Sequence, residues 1–455
     1  MSPLRAAAGR LLGRLRAPDA RHLFGNASSI FGTTIITSGL GAVYWAIASR
    51  SFSPNAVGVT AAAVSAMSLL ARIANLGMPT MLVGELHRFP GRERSLVSEA
   101  ITVTGVVGFV LGAGFAIVAV VTGNLGGSAA LPVLFAVGVA STSSGFVLDS
   151  GFIGILRGYL QFARNSVASV AKLVVLVLLV LVVSPGDRNE LEIYAATVIG
   201  TLLSLALVAR FPKGSRGPSE RVFSTLSTQL GRLALRHYIV NLAVLAPGLL
   251  LPIVVTAVVS PEANAYFYIA FTTAGFVFAV PVALVTALFA VGSRKGMDFK
   301  QTFRLSFATS LAVCAVSGAV LFLIAEPLMG LFGPQYAERA APVLRIFMLG
   351  SVPVIANSHY ISIARIERRF ARAALVLAAG NAVEIASVAV GGHLAGLDGA
   401  MWGWLFGMWI SIVPVLPAVI RALRGKTRTP TAGDDAELGM APEESESFRR
   451  VEADL

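Results

Sequence analysis

The sequence predicts an all-α polytopic membrane protein. Three observations lead to this fold class: 55% of the 455 residues are hydrophobic, only 13% are charged, and long apolar stretches recur along the chain. A soluble protein carries roughly 25% charged residues, so a soluble enzyme of this size could not cover its surface. The net charge of +12 does not indicate a disordered nucleic-acid-binding chain, because such chains combine basicity with low hydrophobicity.

The apolar stretches are long enough to cross a bilayer as helices. A hydrocarbon core about 30 Å thick needs roughly 20 apolar residues per helix. Cys314, the single cysteine, lies in one of these stretches and predicts no disulfide. We predict twelve spans, at 26–48, 56–84, 96–121, 131–153, 165–184, 191–210, 236–258, 264–291, 304–325, 342–364, 373–394 and 399–421.

Lysine and arginine residues predict the orientation, because they concentrate in cytoplasmic connections. If the N-terminus is cytoplasmic, most of the 36 basic residues fall in inner connections and tails, and we count Lys172 among them. The outer loops then hold only Arg50, Arg188 and Arg339. We therefore expect a multi-pass protein of the inner or plasma membrane with both termini cytoplasmic. Arg72 and Arg345 remain, and both fall inside predicted spans.

The connections divide the chain into two lobes of six helices, at 25–211 and 233–421, joined by a cytoplasmic loop at 212–232. Segment 1–24 is basic and is either a short interfacial helix or a cytoplasmic tail. Segment 422–455 is predicted to be an acidic, disordered cytoplasmic tail. Two six-helix lobes have the same orientation, so a duplication would be a parallel repeat about an axis along the membrane normal. Three patterns recur at matching positions: Ser53-Pro54 and Ser260-Pro261, Pro79 and Pro281, and Arg157 with Arg164 and Arg365 with Arg372.

Several short motifs carry a family resemblance. They are Ser53-Pro54-x-x-x-Gly58, Leu76-Gly77, Asp149…Arg157…Arg164-Asn165, Leu331-Phe332-Gly333-x-x-Tyr336, Ala341-x-x-Leu344-Arg345 and Gly396-x-x-Gly399-Ala400. In this order, over about 24–421, they resemble the polysaccharide flippases of the multidrug/oligosaccharidyl-lipid/polysaccharide exporter superfamily. That superfamily also contains lipid II flippases and multidrug/toxin extruders. The resemblance implies two lobes around a central cavity and translocation of a lipid-linked oligosaccharide, commonly on undecaprenyl pyrophosphate, by alternating access.

Arg72 is the leading candidate for binding the substrate headgroup. An intramembrane arginine costs at least about 2.5–3.5 kcal/mol unless it faces water, protein or a charged ligand. A guanidinium can bind a pyrophosphate through two parallel hydrogen bonds, and the resemblance implies a cavity-facing cation in this stretch of helix two. The alternative is an arginine that holds the N-terminal lobe together. Polar stripes at helical spacing on two helices are expected to line the same groove: Ser65, Ser68, Arg72 and Asn75 on helix two, and Asn26, Thr33 and Thr37 on helix one.

Four further residues are candidates for ion coupling or for ion pairs. Asp149 is expected to pair with Arg157, with proton or cation coupling as the alternative. Glu384 is the coupling candidate of the C-terminal lobe, because a buried carboxylate there must be protonated or paired. His359 could titrate near neutral pH or simply be hydrogen-bonded. Arg345 is expected to anchor its helix or to close the lobes through an ion pair.

The expected partners are a lipid-linked glycan, the bilayer, and glycosyltransferases or a polymerase of the same pathway. No nucleic-acid partner, catalytic residue, metal site or cofactor is predicted, and no phosphate-binding glycine motif indicates ATP hydrolysis. A multidrug/toxin antiporter is the main alternative. A membrane glycan polymerase or ligase, or a transport-inactive scaffold, are further alternatives. The excess of arginine over lysine, with abundant alanine and glycine, indicates a bacterial genome rich in G and C.

Overall fold

A computed structural model describes residues 36–86, 91–121, 130–210, 229–292, 299–367 and 369–426. Every regular element in these ranges is helical, and residues 36–51 form the first helix, α1. Short 3-10 helices lie at Pro185–Asp187 and Ala206–Arg210. The remaining helices are α2 (Pro54–Ala74), α3 (Met78–Glu85), α4 (Glu93–Val121), α5 (Ala130–Gly154), α6 (Gly158–Val182), α7 (Glu190–Leu205), α8 (Gln229–Val258), α9 (Pro261–Gly292), α10 (Phe299–Leu323), α11 (Ala325–Gly330), α12 (Pro334–Leu349), α13 (Ser351–Ile366), α14 (Phe370–Ser411) and α15 (Leu416–Leu423).

Length and hydropathy identify the membrane-crossing helices. Within the described ranges, seven helices are long and apolar enough to span a bilayer: α2, α4, α5, α6, α9, α10 and α14. The α12–α13 pair, bent by 48°, adds an eighth if it forms one broken span. The predicted class, a helical multi-pass membrane protein, is therefore confirmed. The count of twelve spans stays a prediction, and segment 1–24, most of the loop 212–232 and the tail beyond 426 lie outside the described residues.

The predicted span 56–84 is interrupted between α2 and α3. Leu76 and Gly77 both have positive φ, at 50° and 84°, and Pro79 follows at the start of α3. Glycine adopts this conformation without a steric penalty, whereas leucine is strained in it by about 1–2 kcal/mol. Hydropathy alone cannot show such a break, because the flanking residues stay apolar on both sides.

Two predicted C-terminal spans, 373–394 and 399–421, meet at a sharp reversal inside α14. Ala395 and Gly396 have non-helical backbone angles, and the segments on either side then pack antiparallel. A methyl group on Gly403 would overlap the carbonyl oxygen of Ser387, and one on Gly407 would lie 2.6 Å from the Glu384 Cα. The four-residue spacing of Gly399, Gly403 and Gly407 is typical of helices that pack closely in membranes.

The Ser-Pro recurrence has the same local structure in both halves of the chain. The Ser53 hydroxyl accepts a hydrogen bond from the Ala56 N–H (3.2 Å) at the start of α2. The Ser260 hydroxyl accepts one from the Ala263 N–H (3.0 Å) at the start of α9. Each serine thus satisfies a backbone donor that the first helical turn leaves free, which is the usual role of an N-cap.

A second local match links the starts of α6 and α14. Arg157 (φ −111°, ψ 52°) precedes α6 and Arg369 (φ −101°, ψ 55°) precedes α14. Their N–H groups donate to the carbonyls of Phe152 and Ala364, five residues back in each case, at 2.8 and 2.9 Å. The structural counterpart of Arg157 is therefore Arg369 rather than Arg365. The repeat as a whole remains a prediction.

Contacts divide the described residues into two compact units. Apart from the gaps given above, the first unit takes 36–44, 70–184 and 191–210, and the second takes 45–69, 185–190 and 229–426. In the first unit a buried core joins α3, α4 and α5 around Leu82, Val97 and Phe152. In the second unit another core joins α10, α13, α14 and α15, with Phe303 and Val415 completely buried.

Candidate functional site

Arg72 lies in the last turn of α2, next to the break before α3. Its guanidinium carbon is 4.5 Å from the ring centroid of Phe146 on α5, within the range of a cation–π interaction. A positive charge at this position also complements the negative end of the helix dipole. Phe146 is about eight residues, or about 12 Å of helix, from Gly154 at the predicted inner end of α5. If that end lies at the inner surface as predicted, Arg72 falls within the thickness of the hydrocarbon core.

Asn75 occupies the break itself and is buried. Its side-chain oxygen accepts a hydrogen bond from the Ser143 hydroxyl at 2.8 Å. Ser143 and Phe146 are one turn apart on α5, so the same face of that helix holds both Asn75 and Arg72. The structure thus brings two residues of the predicted stripe together in the first unit. Ser143 and Phe146 were not predicted as site residues, although the polar run around Ser143 was a signal.

For the other residues of the two predicted stripes, the structure gives burial. Ser65 is buried and Ser68 half-buried, in the part of α2 that belongs to the second unit. Thr37 is half-buried on α1. Asn26 and Thr33 lie outside the described residues. Whether the stripes of helix one and helix two face a common groove therefore stays a prediction.

Asp149 forms a buried ion pair, but with Arg164 rather than with the predicted Arg157. The Arg164 Nε and Nη2 atoms donate to the two carboxylate oxygens, each at 2.5 Å. The Asn165 amide nitrogen adds contacts at 3.1 and 3.2 Å, and Arg164 Nη1 donates to the Ser204 hydroxyl at 3.2 Å. Arg157 precedes the first turn of α6. The arginine that faces α5 is therefore Arg164, which lies about two turns further along that helix. The pair links α5, α6 and α7.

Lys172 lies at a different position along its helix from the one that the sequence patterns predicted. The prediction that it belongs to the inner connections is wrong, because α6 begins at Gly158 and carries Lys172 about 14 residues, or about 21 Å, away from that end. Its ammonium group lies 5.1 Å from the ring centroid of Tyr44. The signal was present in the sequence, since the predicted span 165–184 contains this lysine.

Glu384 is buried in α14, where it is 5% exposed. Its carboxylate accepts a hydrogen bond from the indole N–H of Trp404 at 2.8 Å, across the reversal of α14. In the described part of the chain, no group of three His, Cys, Asp or Glu side chains could hold a metal ion. Glu384 is thus a buried carboxylate with a neutral hydrogen-bond donor.

His359 and Arg345 both have structural partners in the second unit. His359 is completely buried, with its ring nitrogens 3.1 Å from the Ser306 hydroxyl and 2.9 Å from the Ile355 carbonyl oxygen. These contacts favour the hydrogen-bonded interpretation. Arg345 donates to Glu326 at 2.8 Å, and both belong to the C-terminal helices, so this pair closes no contact with another unit.

The starts of α2 and α9 meet closely in the second unit, which the sequence patterns did not predict. A methyl group on Gly58 would overlap the carbonyl oxygen of Pro261. The Asn264 amide donates to the Gly58 carbonyl at 2.8 Å. One turn before α2 begins, Arg50 Nε donates to the Leu331 carbonyl at 2.7 Å. Glycine at position 58 is what allows two helix backbones to touch here.

Long apolar helices with internal breaks and close contacts at small residues define a class of protein, the helical multi-pass membrane proteins. Among solved structures, the chain is similar to the lipid II flippase MurJ in an inward closed conformation (TM-score 0.64, 13% identity, 86% of this chain and 89% of that chain). It is also similar to a multidrug resistance MATE family transporter of the MOP superfamily, facing inward (TM-score 0.60, 15% identity, 86% and 95%) and outward (0.54, 14%, 89% and 97%).

The described helices therefore have the fold of the MOP superfamily, the multidrug/oligosaccharidyl-lipid/polysaccharide exporters, and the predicted resemblance is confirmed at the level of the fold. No family model and no curated protein sequence matches the chain.

Proposed function

We propose that this protein flips a lipid-linked oligosaccharide or polysaccharide precursor from the inner to the outer leaflet of a bacterial cell membrane, by alternating access and without a covalent step. The observation that carries the proposal is the arrangement of Arg72, Asn75, Ser143 and Phe146 at the broken helix. The Phe146 ring holds the guanidinium at this position through a cation–π contact, and a guanidinium is always charged in a protein. A pyrophosphate between lipid and glycan is the group that this chemistry suits.

The charges inside the first unit favour an anionic substrate over a cationic one. Leaving out the first turn of each helix, its described membrane helices contain three cations, Arg72, Arg164 and Lys172, and two carboxylates, Asp149 and Glu99. Because Asp149 is committed to Arg164 and Asn165, this interior has an excess of positive charge. Such a field attracts phosphates and repels organic cations.

Alternating access requires contacts that break and re-form. We infer that the meeting of α2 and α9 at Gly58 and Pro261 is one of them. Its single described side-chain hydrogen bond, from Asn264 to Gly58, contributes about 0.5–1.5 kcal/mol.

A multidrug antiporter is the second candidate, because the likeness to MATE transporters is as good as that to MurJ. Glu384 favours it, since a buried carboxylate in a membrane helix can exchange a proton or a cation during transport. The same residue could equally couple an ion gradient to glycan flipping. The two candidates therefore differ in the substrate, not in the use of Glu384.

The test measures the initial rate at which the purified protein flips a fluorescent polyprenyl-pyrophosphate oligosaccharide in proteoliposomes, and compares this rate between the wild type and variants. We expect Arg72→Gln to reduce the initial rate at least tenfold, and Arg72→Lys to reduce it less, because lysine keeps the charge but loses the bidentate geometry. The matched control is Arg345→Gln, which removes an arginine from an ion pair in the C-terminal helices and should change the rate less than twofold. An Arg72→Gln protein that flips at the wild-type rate would contradict the role of Arg72.

A further inference from the structure

Lys172 lies at a close approach of α6 and α7. A methyl group on Gly200 of α7 would lie 2.7 Å from both the Lys172 Cβ and its backbone nitrogen. The stem of the lysine is therefore fixed by the facing helix, and the side chain is half-buried. Its ammonium group is directed toward α1, where it lies over the ring of Tyr44. All of these residues belong to the first unit.

Tyr44 forms a rigid platform for this ammonium group. It is 1% exposed, and its hydroxyl donates to the Ile193 carbonyl and lies 3.0 Å from the Thr197 hydroxyl, both on α7. Anchored at its polar end, the ring cannot turn away from Lys172. Three helices thus contribute to one intramembrane cluster, defined by Lys172, Tyr44, Thr197 and Gly200 and called here the Lys172 cluster.

The Lys172 cluster lies on two polar faces rather than in an isolated position. Tyr44 follows Thr37 by about two helical turns, so it continues the face of α1 that is predicted to line the groove. On α6, Asn165, Ser169 and Lys172 recur at a spacing of four and three residues, which also places them on one face. Asn165 at the lower end of this face belongs to the Asp149–Arg164 network. Lys172 is therefore the outermost charge of a continuous polar face.

The charge of Lys172 has no carboxylate partner in the part of the chain that the structure describes. The Asp149 carboxylate, on the neighbouring helix α5, is already bound by Arg164 and Asn165. A cation–π contact with Tyr44 compensates only part of the cost of placing an ammonium group in a membrane. An anionic ligand would supply the remaining compensation.

We propose that Lys172 binds a phosphate of the transported lipid, as a second anion-binding residue beyond Arg72. This inference rests on the proposed function. Phe146, the ring that Arg72 contacts, lies about 12 Å along α5 from the end that adjoins α6. Lys172 lies about 21 Å along α6 from the end that adjoins α5. The two cations are thus at different depths, and the headgroup would pass from Arg72 to Lys172 as it crosses the membrane.

The experiment measures binding to the full chain in nanodiscs of neutral phosphatidylcholine. The probes are a polyprenyl pyrophosphate, the uncharged polyprenol of the same length, and inorganic pyrophosphate as a competitor. We expect the wild type to bind the polyprenyl pyrophosphate at least tenfold more tightly than the polyprenol. Lys172→Met keeps the length of the side chain and should lose most of this preference while polyprenol binding stays unchanged.

Two further variants separate a binding role from a packing role. Lys172→Arg keeps the charge and should retain the preference for the pyrophosphate over the polyprenol within about threefold. Lys172→Gln replaces Lys172→Met if Lys172→Met does not fold. The matched control, Lys300→Met, removes an exposed lysine at the start of α10 and should have no effect.

The possible results distinguish this inference from the proposed function. If the wild type prefers the pyrophosphate but Lys172→Met does so equally, the role of Lys172 is overturned and the proposed function stands. If the wild type shows no preference for the pyrophosphate over the polyprenol, both fail together. If inorganic pyrophosphate displaces the lipid at equal concentration, the site recognises free phosphate, and the assignment to a lipid-linked substrate is overturned.

Discussion

Removing the carboxylate of the Asp149–Arg164 pair should destabilise the first unit more than removing the guanidinium. The side chains of Arg164 and Asp149 are only 6% and 14% exposed, and two hydrogen bonds of 2.5 Å join them. Breaking a buried pair by deleting one partner typically costs about 3–5 kcal/mol, because the other charge is left without compensation. We expect this full cost for Asp149→Leu, since a guanidinium cannot give up its proton in a protein.

Arg164→Met should cost less, about 2 kcal/mol, because the carboxyl group that remains can take up a proton and keeps its contacts with Asn165. The double variant Asp149→Leu with Arg164→Met replaces both charges by apolar groups of similar size. Such replacements are often neutral or stabilising, so we expect it to be within about 1 kcal/mol of the wild type.

The assay is reversible unfolding of the purified protein in mixed micelles, followed by circular dichroism, for the wild type, the two single variants and the double variant. The difference between the double variant and the sum of the single variants gives the coupling energy. A coupling of several kcal/mol supports a buried, interdependent pair. Additive losses, or equal losses for Asp149→Leu and Arg164→Met, would refute the reasoning.

Two further predictions concern the second unit. Gly58→Val should force α2 away from the Pro261 carbonyl, because even a methyl group at position 58 overlaps that oxygen. The distance between spin labels on Asn55 and Glu262 should therefore increase. An unchanged distance would contradict the close contact of the two helices. Trp404→Phe removes the described donor to the Glu384 carboxylate and should destabilise the protein by about 1–3 kcal/mol. Thermal unfolding measures this loss. As the control, Trp404→Phe should cause no such loss in a protein in which Glu384 is already replaced by Met.

The apolar stretches predicted many helices closely because a lipid-facing helix must be hydrophobic along its whole length. The predicted spans 96–121 and 131–153 correspond to α4 and α5 within a few residues at each end. The break at Leu76 and Gly77 was not predicted, since backbone angles leave no trace in hydropathy. The Gly77 and Pro79 pair was the available signal, because these residues favour a helix end followed by a new helix start.

The site was predicted less completely than the fold because side-chain contacts depend on where each helix begins. Arg72 and Asn75 were predicted from their spacing, and both contact the same face of α5; their role in binding stays a prediction. The partner of Asp149 was missed because the start of α6 at Gly158 makes Arg164, not Arg157, face α5. Lys172 was not predicted as a candidate for a related reason: its proposed role depends on its position along α6 and on Tyr44, which is distant in sequence.

The central claim is that the transported molecule is an anionic, lipid-linked glycan. The most direct measurement uses one preparation of the wild-type protein in proteoliposomes and compares flipping of a polyprenyl-pyrophosphate oligosaccharide with transport of a cationic dye under an imposed ion gradient. The excess positive charge inside the first unit predicts rapid flipping of the lipid-linked oligosaccharide and no transport of the dye above the rate of empty liposomes. Transport of the dye without flipping of the lipid would contradict the account and identify a multidrug antiporter instead.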